Sequence, residues 1–509
     1  MKGWRWLAAA LALGSCLRLQ QAWVRYDEFL PQSAPEEGYY EMAVALIGYH
    51  VFSTGTPNNT PTAWRGPLFP VLGALAQAGA SRPHPGRIRL AVALVSSASV
   101  AAAFCLGAVL VSPAAGALAA FAVALEPASV LGSLDIHVFF GCVLLSLAAA
   151  AALWAARPTA WGSLGLGLLI GAGLTARGSL FPLPLLLAAA AIRWRLPRRV
   201  PAALLLGVAL ALAPMALRNR LRFGVFLPLP DLHAGAVALL GATAGEDDLN
   251  SFTVERALSL AEASEPGFAL RYRGEQRLHA EILRVARRRI AAHPWRFAGI
   301  CLRRLGLLLK ALAAPLALAL LALALRPGRP MQAAALTALA FGGYAVAGGG
   351  ADHQAAAWPL LLTLSACGAA ALLDRKGRPE PSWSRTLAVG PWALAALYGV
   401  FLVCLGLETR SSAAPGPGQE RALAGMQVVT AHYRDPAAGR ALYAHCLLDN
   451  GRRLLSIGDC ASASPLLQEA LRNDHALTEA AGHLESCRRS DPSTAPSRPR
   501  GPRPRPTDS

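Results

Sequence analysis

Charge is scarce in this sequence. Only 15% of its 509 residues are Asp, Glu, Lys or Arg, where a soluble globular chain carries about a quarter. That shortfall excludes a single water-soluble domain. Aromatic residues are few as well, at 7%, and the apolar mass is Ala and Leu in long runs, a composition of membrane helices. The nine cysteines contain no Cys-x-x-Cys pair and no Cys/His pattern at metal-ligand spacing. A zinc module and a dithiol redox motif are thereby excluded, and no metal or cofactor is expected. Acids are outnumbered, 30 against 48 basic residues for a net charge of +18. In a soluble chain such an excess points to nucleic acid. Here the basic residues punctuate apolar runs, as they do at membrane edges, so no nucleic-acid partner is expected.

What is present is a series of apolar runs. A first helix is expected at about 5–23, uncleaved, with Lys2 and Arg5 before it; Leu13-Gly14-Ser15-Cys16 also has the look of a weak lipoprotein cleavage site. Longer runs follow at about 88–111, 114–131, 137–156, 161–176, 178–192, 199–217, 306–325, 331–347, 354–373 and 386–406, or about eleven spans by length. The fold class expected is an all-α polytopic membrane protein. The run 67–80 is too short to cross and reads as a helix lying at the outer interface. If it does not cross, Arg157, the cluster Arg193, Arg195, Arg198 and Arg199, then Arg326, Arg329, Arg375, Lys376 and Arg378 all face the cytoplasm, as the positive-inside bias prefers. The polar loops 24–87 and 218–298 then share the outer face with everything after 410.

Residues 411–418 (Ser-Ser-Ala-Ala-Pro-Gly-Pro-Gly) read as a linker after a membrane domain of residues 1–410. Residues 419–487 have helical periodicity, and Gly451, Gly458, Ala463 and Ala470 fall where a tetratricopeptide-like helix pair needs small side chains. A plain helical hairpin fits equally. Either would serve to hold a protein partner. Cys446, Cys460 and Cys487 can form a disulfide there in an oxidising compartment. The Arg/Pro-rich tail 488–509 reads as disordered.

Ionisable groups beside membrane spans are the first candidates for chemistry. The first loop holds Asp27 and Glu28, then Glu36-Glu37-Gly38-Tyr39-Tyr40-Glu41-Met42-Ala43, and ends in Arg65 within Pro61–Pro70. Asp135 stands between two apolar runs, after Glu126-Pro127, where it is either functional or a helix N-cap. Arg177 has no acid near it in sequence and suits a phosphate or a snorkelling role. Arg218-Asn219-Arg220 opens the second loop, and His353 lies in a late one. The stretch Glu281–Arg304 reads as a basic amphipathic helix on the outer surface, broken at His293-Pro294.

The order of these features resembles the GT-C integral-membrane glycosyltransferases, in particular the branch of protein O-mannosyltransferases and lipid A aminoarabinose transferases. The resemblance covers residues 5–310 and, more weakly, 330–373. It rests on Glu36-Glu37 followed by Tyr and Ala, on Pro61–Pro70, on Pro127 followed by Asp135, and on Leu174–Arg177 with Arg218-Asn219 and Phe223-Gly224. It departs at the acidic pair, which is Asp-Glu in the family, and at Asp352-His353-Gln354, where the family has an Arg-Tyr step.

The resemblance implies a GT-C-like helix bundle at a bacterial-type cytoplasmic membrane that moves a sugar from a polyprenyl-phosphate donor to a protein, lipid or glycan hydroxyl. It implies outer-face chemistry, inversion at the anomeric carbon and no metal. It gives Glu36 the role of general base, with Glu37 and Asp27 next, Asp135 as an orienting acid, and Arg65, Arg177 and Arg218 as phosphate ligands. Two other classes stay open: a transporter of a lipid-linked substrate, against which stands the lack of an internal repeat of spans, and a non-catalytic scaffold.

Overall fold

A computed structural model of the chain describes residues 3–26, 39–49, 52, 66–78, 85–131, 136–223, 226, 275–348, 351–373 and 389–410, and then 444, 447–448, 451–452, 455 and 460–490. Among the described residues all regular structure is helical. The protein is an all-α, multi-pass membrane protein.

The first half of the bundle is α1 (Gly3–Val24), α2 (Tyr39–Tyr49), α3 (Leu68–Gln77), α4 (Pro85–Leu110), α5 (Pro113–Leu125), α6 (Pro127–Leu131) and α7 (Ile136–Ala156). It continues with α8 (Ala160–Ala176), α9 (Pro182–Arg193), α10 (Arg199–Phe223), α11 (Glu275–Ala292), α12 (Pro294–Ala311), α13 (Ala313–Leu325), α14 (Arg329–Gly348), α15 (Ala351–Leu373) and α16 (Val389–Arg410). One continuous apolar core joins α1 to α16.

Of the spans expected, segments of α4, α7, α10 and α15 are long and apolar enough to cross a membrane, and α12 with α13 forms a bent pair that passes the same test together. Other apolar runs are shorter helices: Pro113–Leu125, Ala160–Ala176 and Gly178–Arg193 each have fewer residues than the roughly 20 a span needs. Local sequence sets these breaks. Ser112 accepts a bond from the Ala115 amide with Pro113 in the first turn, which starts α5 anew after α4. Thr159 does the same for α8 through Gly162. α1 carries exposed Trp4 and Trp6 near one end and exposed Trp23 at the other, the placing of interfacial anchors.

α8 and α10 run parallel in close contact. A Cβ on Gly167 would lie 2.1 Å from the Leu204 carbonyl oxygen, one on Gly207 2.3 Å from that of Leu164, and one on Gly171 2.4 Å from the Ala211 Cβ. Small residues let the backbones meet, the usual means of association where no water drives it. α9 returns antiparallel, and its Trp194 meets Trp154 at the end of α7 and donates to Gln332 near the start of α14 at 2.7 Å. Arg157, Arg193 to Arg199 and Arg329 therefore gather at one end of the bundle. The ends of α8 and α10 and the start of α7 lie at the opposite end. Residues 374–388, with the last basic cluster, lie outside the described residues.

At ten residues α3 spans about 15 Å, half of a hydrocarbon core, in keeping with a helix that does not cross. Its Leu68, Phe69, Val71, Leu72 and Gln77 are buried, and it packs on α2, α4 and α16.

The C-terminal part has its own small core. α17 (Cys460–Asn473) and α18 (Thr478–Ser490) pack as a pair. Ala463, Ala470 and Ala480 are fully buried there with Leu466 and Leu467, and a Cβ on Gly451 would press on Leu467 at 2.6 Å. Small residues sit at the helix contacts. Gly458 and Cys446 lie outside the described residues. Cys460 and Cys487 are not joined to one another.

Candidate functional site

The candidate site is built around Arg177. α8 stops there because the backbone turns extended (φ −151, ψ 117), with the Arg177 amide still donating to the Gly173 carbonyl at 2.9 Å. A single 3-10 turn, Gly178–Leu180, and then Pro182 start the return helix. The guanidinium is carried over the Phe140 ring, 4.6 Å from its centroid, and near Phe341 of α14 at 5.8 Å. Rings hold a guanidinium by its face, which leaves the geometry of its donor edge suited to a planar oxyanion.

Phe140 belongs to an aromatic chain. Phe139 neighbours it at 5.8 Å, Phe69 of α3 meets Phe139 at 5.4 Å, and Tyr39 of α2 meets Phe69 at 5.4 Å. His137, one turn before Phe140, lies 6.3 Å from its ring. These contacts tie the starts of α2, α3 and α7 to the end of α8.

Arg218 lies level with Arg177. The parallel register of α8 on α10 brings the last turn of α8 beside the turn before Arg218. Its side chain is 1% exposed, donates from Nη1 to Asn219 Oδ1 at 3.2 Å and sits 5.5 Å from the Phe52 ring. Phe52 packs on Phe401 of α16, and Phe401 on Tyr398, whose hydroxyl donates to the Ala211 carbonyl. A second arginine is thus held among aromatic rings at the same end.

Asp27, Glu36, Glu37, Arg65 and Asp135 lie outside the described residues, as do the side chains of Asp352 and His353. Their described neighbours are informative. Tyr39 follows Glu36-Glu37 closely and opens the aromatic chain. Gly66, the residue after Arg65, lies so close to the Thr175 and Ala176 carbonyl oxygens that a Cβ would stand 2.7 and 2.3 Å from them. Ile136, the residue after Asp135, is buried at the start of α7, a turn before Phe140. Tyr39, Gly66 and Ile136, the described residues that follow Glu36-Glu37, Arg65 and Asp135 in sequence, therefore all lie at the end of the bundle that holds Arg177 and Arg218.

Sequence reasoning did not single out Arg18. It lies in the last two turns of α1, just after the apolar run Trp6–Leu17, is 0% exposed, and donates to the carbonyls of Val123 at 2.8 Å, Ala124 at 3.1 Å and Gly14 at 3.1 Å. In a helix the Val123 carbonyl would accept from residue 127, but that is a proline without an N–H. Arg18 supplies the missing donor where α5 breaks at Glu126-Pro127. The signal was present: an arginine beside an apolar run needs a partner. The aromatic rings around Arg177 and Arg218 were missed as well, because each comes from a distant part of the chain.

Among the described residues no three of His, Cys, Asp and Glu gather as metal ligands would. No protein-family model matches the chain, and no curated protein matches it. Two solved structures of an Archaeoglobus fulgidus oligosaccharyltransferase, one a complex with zinc and sulfate and one in the apo form, are similar to it at 16% identity. For the first the TM-score is 0.42, over 86% of this chain and 56% of that one; for the second it is 0.44, over 87% and 59%. The chain thus spans less than two thirds of the length of the solved proteins it matches.

Proposed function

We propose that the chain is a membrane glycosyltransferase of the GT-C type, which moves a sugar from a polyprenyl-phosphate donor to an acceptor hydroxyl. The observation that carries this reading is the convergence of Arg177, Arg218 and the flanks of Glu36-Glu37, Arg65 and Asp135 on one end of the bundle. Two arginines held by aromatic faces at the edge of an apolar bundle suit an anionic headgroup whose lipid tail lies in the membrane. The basic clusters at the other end support a cytoplasmic position for that end by the positive-inside bias, and with it a site on the outer face.

In the reaction the acceptor oxygen attacks the anomeric carbon. Its proton passes to a carboxylate, Glu36 in this reading with Glu37 and Asp27 as the next candidates, a contribution of roughly 10²–10⁴ in rate. The bond between the anomeric carbon and the phosphate oxygen breaks, and the electron pair leaves on the phosphate. Arg65, Arg177 and Arg218 hold that phosphate and balance the charge it gains. Three guanidiniums supply the positive charge, so the reading calls for no metal. Asp135 orients the sugar or acceptor. Attack opposite the departing lipid phosphate inverts the anomeric centre. The C-terminal helix pair is an appendage that holds a protein partner.

The test uses membranes containing the full chain, supplied with polyprenyl-phosphate sugars labelled in the sugar. Wild type is expected to move label out of the lipid fraction, and Glu36→Gln to lose that turnover while still retaining the lipid. Equal release by both proteins would remove Glu36 from the role of base. No release by wild type from any donor tested would favour a transporter or a scaffold.

A further inference from the structure

The turn between α9 and α10 joins a strained backbone to a concentration of cations. Among the described residues, Arg195 alone of the non-glycine residues has a positive φ, 57°. α9 ends in the bonding pattern of a left-handed cap: the Leu196 amide donates to the Ala191 carbonyl at 3.0 Å, and the Arg195 amide to that of Ile192 at 2.9 Å. The left-handed position of such a cap is the usual place of glycine, because a Cβ is disfavoured there. The dipole of α9 favours a cation at this end, but Arg193 in its last turn already supplies one. An arginine kept at a glycine position is the kind of strain found at ligand clamps.

The neighbours of this turn fix its depth in the membrane. Segments long and apolar enough to cross run over Ile136–Ala156 in α7 and Arg199–Leu221 in α10. Arg157 directly follows the first, and Arg199 opens the second. The Trp154 and Trp194 rings stand 6.0 Å apart, which brings the two turns together. The parallel contacts of Gly167 and Gly171 with Leu204 and Val208 set Trp161, near the start of α8, level with the start of α10.

Arg157, Arg193, Arg195, Arg198 and Arg199 are all exposed at these turns. Trp161 and Ile192 are 83% and 66% exposed beside them. Among the described residues, none of the five guanidiniums has a hydrogen-bond or ion-pair partner. Residues 136–230 contain no Asp or Glu, so no acid in this stretch of chain neutralises them. Such guanidiniums at the ends of crossing helices, with apolar side chains exposed alongside, complement an anionic headgroup whose acyl chains run down the bundle.

We infer that the α7–α8 and α9–α10 turns form a binding site for an acidic diacyl phospholipid, with Arg195 a ligand of the headgroup phosphate. Arg157, Arg193, Arg198 and Arg199 add to the positive field, and Trp161 and Ile192 border the acyl chains. The site lies at the end of the bundle opposite Arg177 and is independent of sugar transfer.

Arg195→Gly tests it, because the change removes the cation and the strain together. In lipid-free detergent this variant should melt no lower than wild type. In native mass spectrometry of the purified full chain it should retain phosphatidylglycerol about fivefold less well, the effect of one cation near a membrane surface, with phosphatidylcholine unchanged. The variant Arg157→Gln, Arg195→Gly, Arg199→Gln should retain phosphatidylglycerol at least about tenfold less well. The matched variant Arg287→Gln, Arg296→Gln, Lys310→Gln, which removes three exposed cations elsewhere, should behave as wild type. A lower melting temperature for Arg195→Gly without lipid would make Arg195 a support of the turn and overturn the assignment. Equal loss of phosphatidylglycerol in both triple variants, or in neither, would overturn it too. Loss of polyprenyl phosphate in place of phosphatidylglycerol would give the patch to that lipid, and so also overturn it.

Discussion

Replacing Arg18 by Met tests how the bundle tolerates a broken helix in its interior. The change keeps most of the side-chain volume and removes the donors to Val123, Ala124 and Gly14. The Gly14 carbonyl belongs to an intact helix, so its loss matters little. Val123 and Ala124 lie in the last turn of α5, and the residue that would donate to Val123 in a continuous helix is Pro127, which has no N–H. Each buried carbonyl left without a donor costs about 1–3 kcal/mol, or about 2–6 kcal/mol for the pair. Relief from burying a charged guanidinium offsets part of that, so a net loss of about 2–4 kcal/mol is expected.

For a bundle of this size, with an unfolding entropy near 2 cal/mol/K per residue, that corresponds to a melting shift of about 2–5 °C. The assay is thermal unfolding in detergent, followed with a dye that reacts with the buried thiols of Cys105, Cys142 and Cys367 as they are exposed. Pro127→Ala supplies the control, since it returns an N–H to position 127. In that background Arg18→Met should cost less by about 1 kcal/mol, the worth of one hydrogen bond. An unchanged melting temperature for Arg18→Met, or simple addition of the two changes, would refute the argument.

Three further outcomes follow from close contacts at other places. Gly66→Ala would bring a methyl group against the Thr175 and Ala176 carbonyls, which pushes Gly66 away from the end of α8 next to Arg177; lipid-phosphate retention in native mass spectrometry should fall at least about tenfold while the melting temperature moves little. Gly207→Leu would force α8 and α10 apart, because a Cβ there already meets the Leu164 carbonyl at 2.3 Å; a loss of roughly 1–3 kcal/mol or more, the range for overpacking, should appear in thermal unfolding. Leu467→Ala empties the fully buried centre of the C-terminal helix pair at a cost of about 2–5 kcal/mol; limited proteolysis should then remove the region after 410, with the membrane bundle melting as in wild type.

Much of the architecture was written in one-dimensional pattern. Apolar length placed α4, α7, α10 and α15, and alternating basic clusters foretold that Arg157, Arg193 and Arg329 would share an end opposite Arg177 and Arg218. His293-Pro294 broke the basic amphipathic stretch where the structure separates α11 from α12. Hydropathy was a poorer guide to helix ends. Glu126-Pro127 cuts the apolar run 114–131 into two short helices, Pro113–Leu125 and Pro127–Leu131, where length counting reads one span.

The site was legible as residue types and not as contacts. Arg177 and Arg218 were named by the cost of a charge at membrane depth. Phe140, Phe341 and Phe52, which hold them, come from elsewhere in the sequence, and nothing local marks a phenylalanine as the bed of a guanidinium. Arg18 obeyed the same cost rule, yet its partners lie on another helix, and only the packing of α1 on α5 shows why it is tolerated.

The central claim is that the Arg177 end of the bundle holds a lipid-linked phosphate. The most direct measurement is native mass spectrometry of the purified chain and its Arg177→Ala variant, each titrated with polyprenyl phosphate and, as a control, with a neutral polyprenol. The account predicts binding of the phosphate lipid by wild type, at least about tenfold weaker binding by the variant, and little binding of the neutral lipid by either. Equal retention of the phosphate lipid by both proteins, or equal binding of the phosphate and neutral lipids, would contradict it.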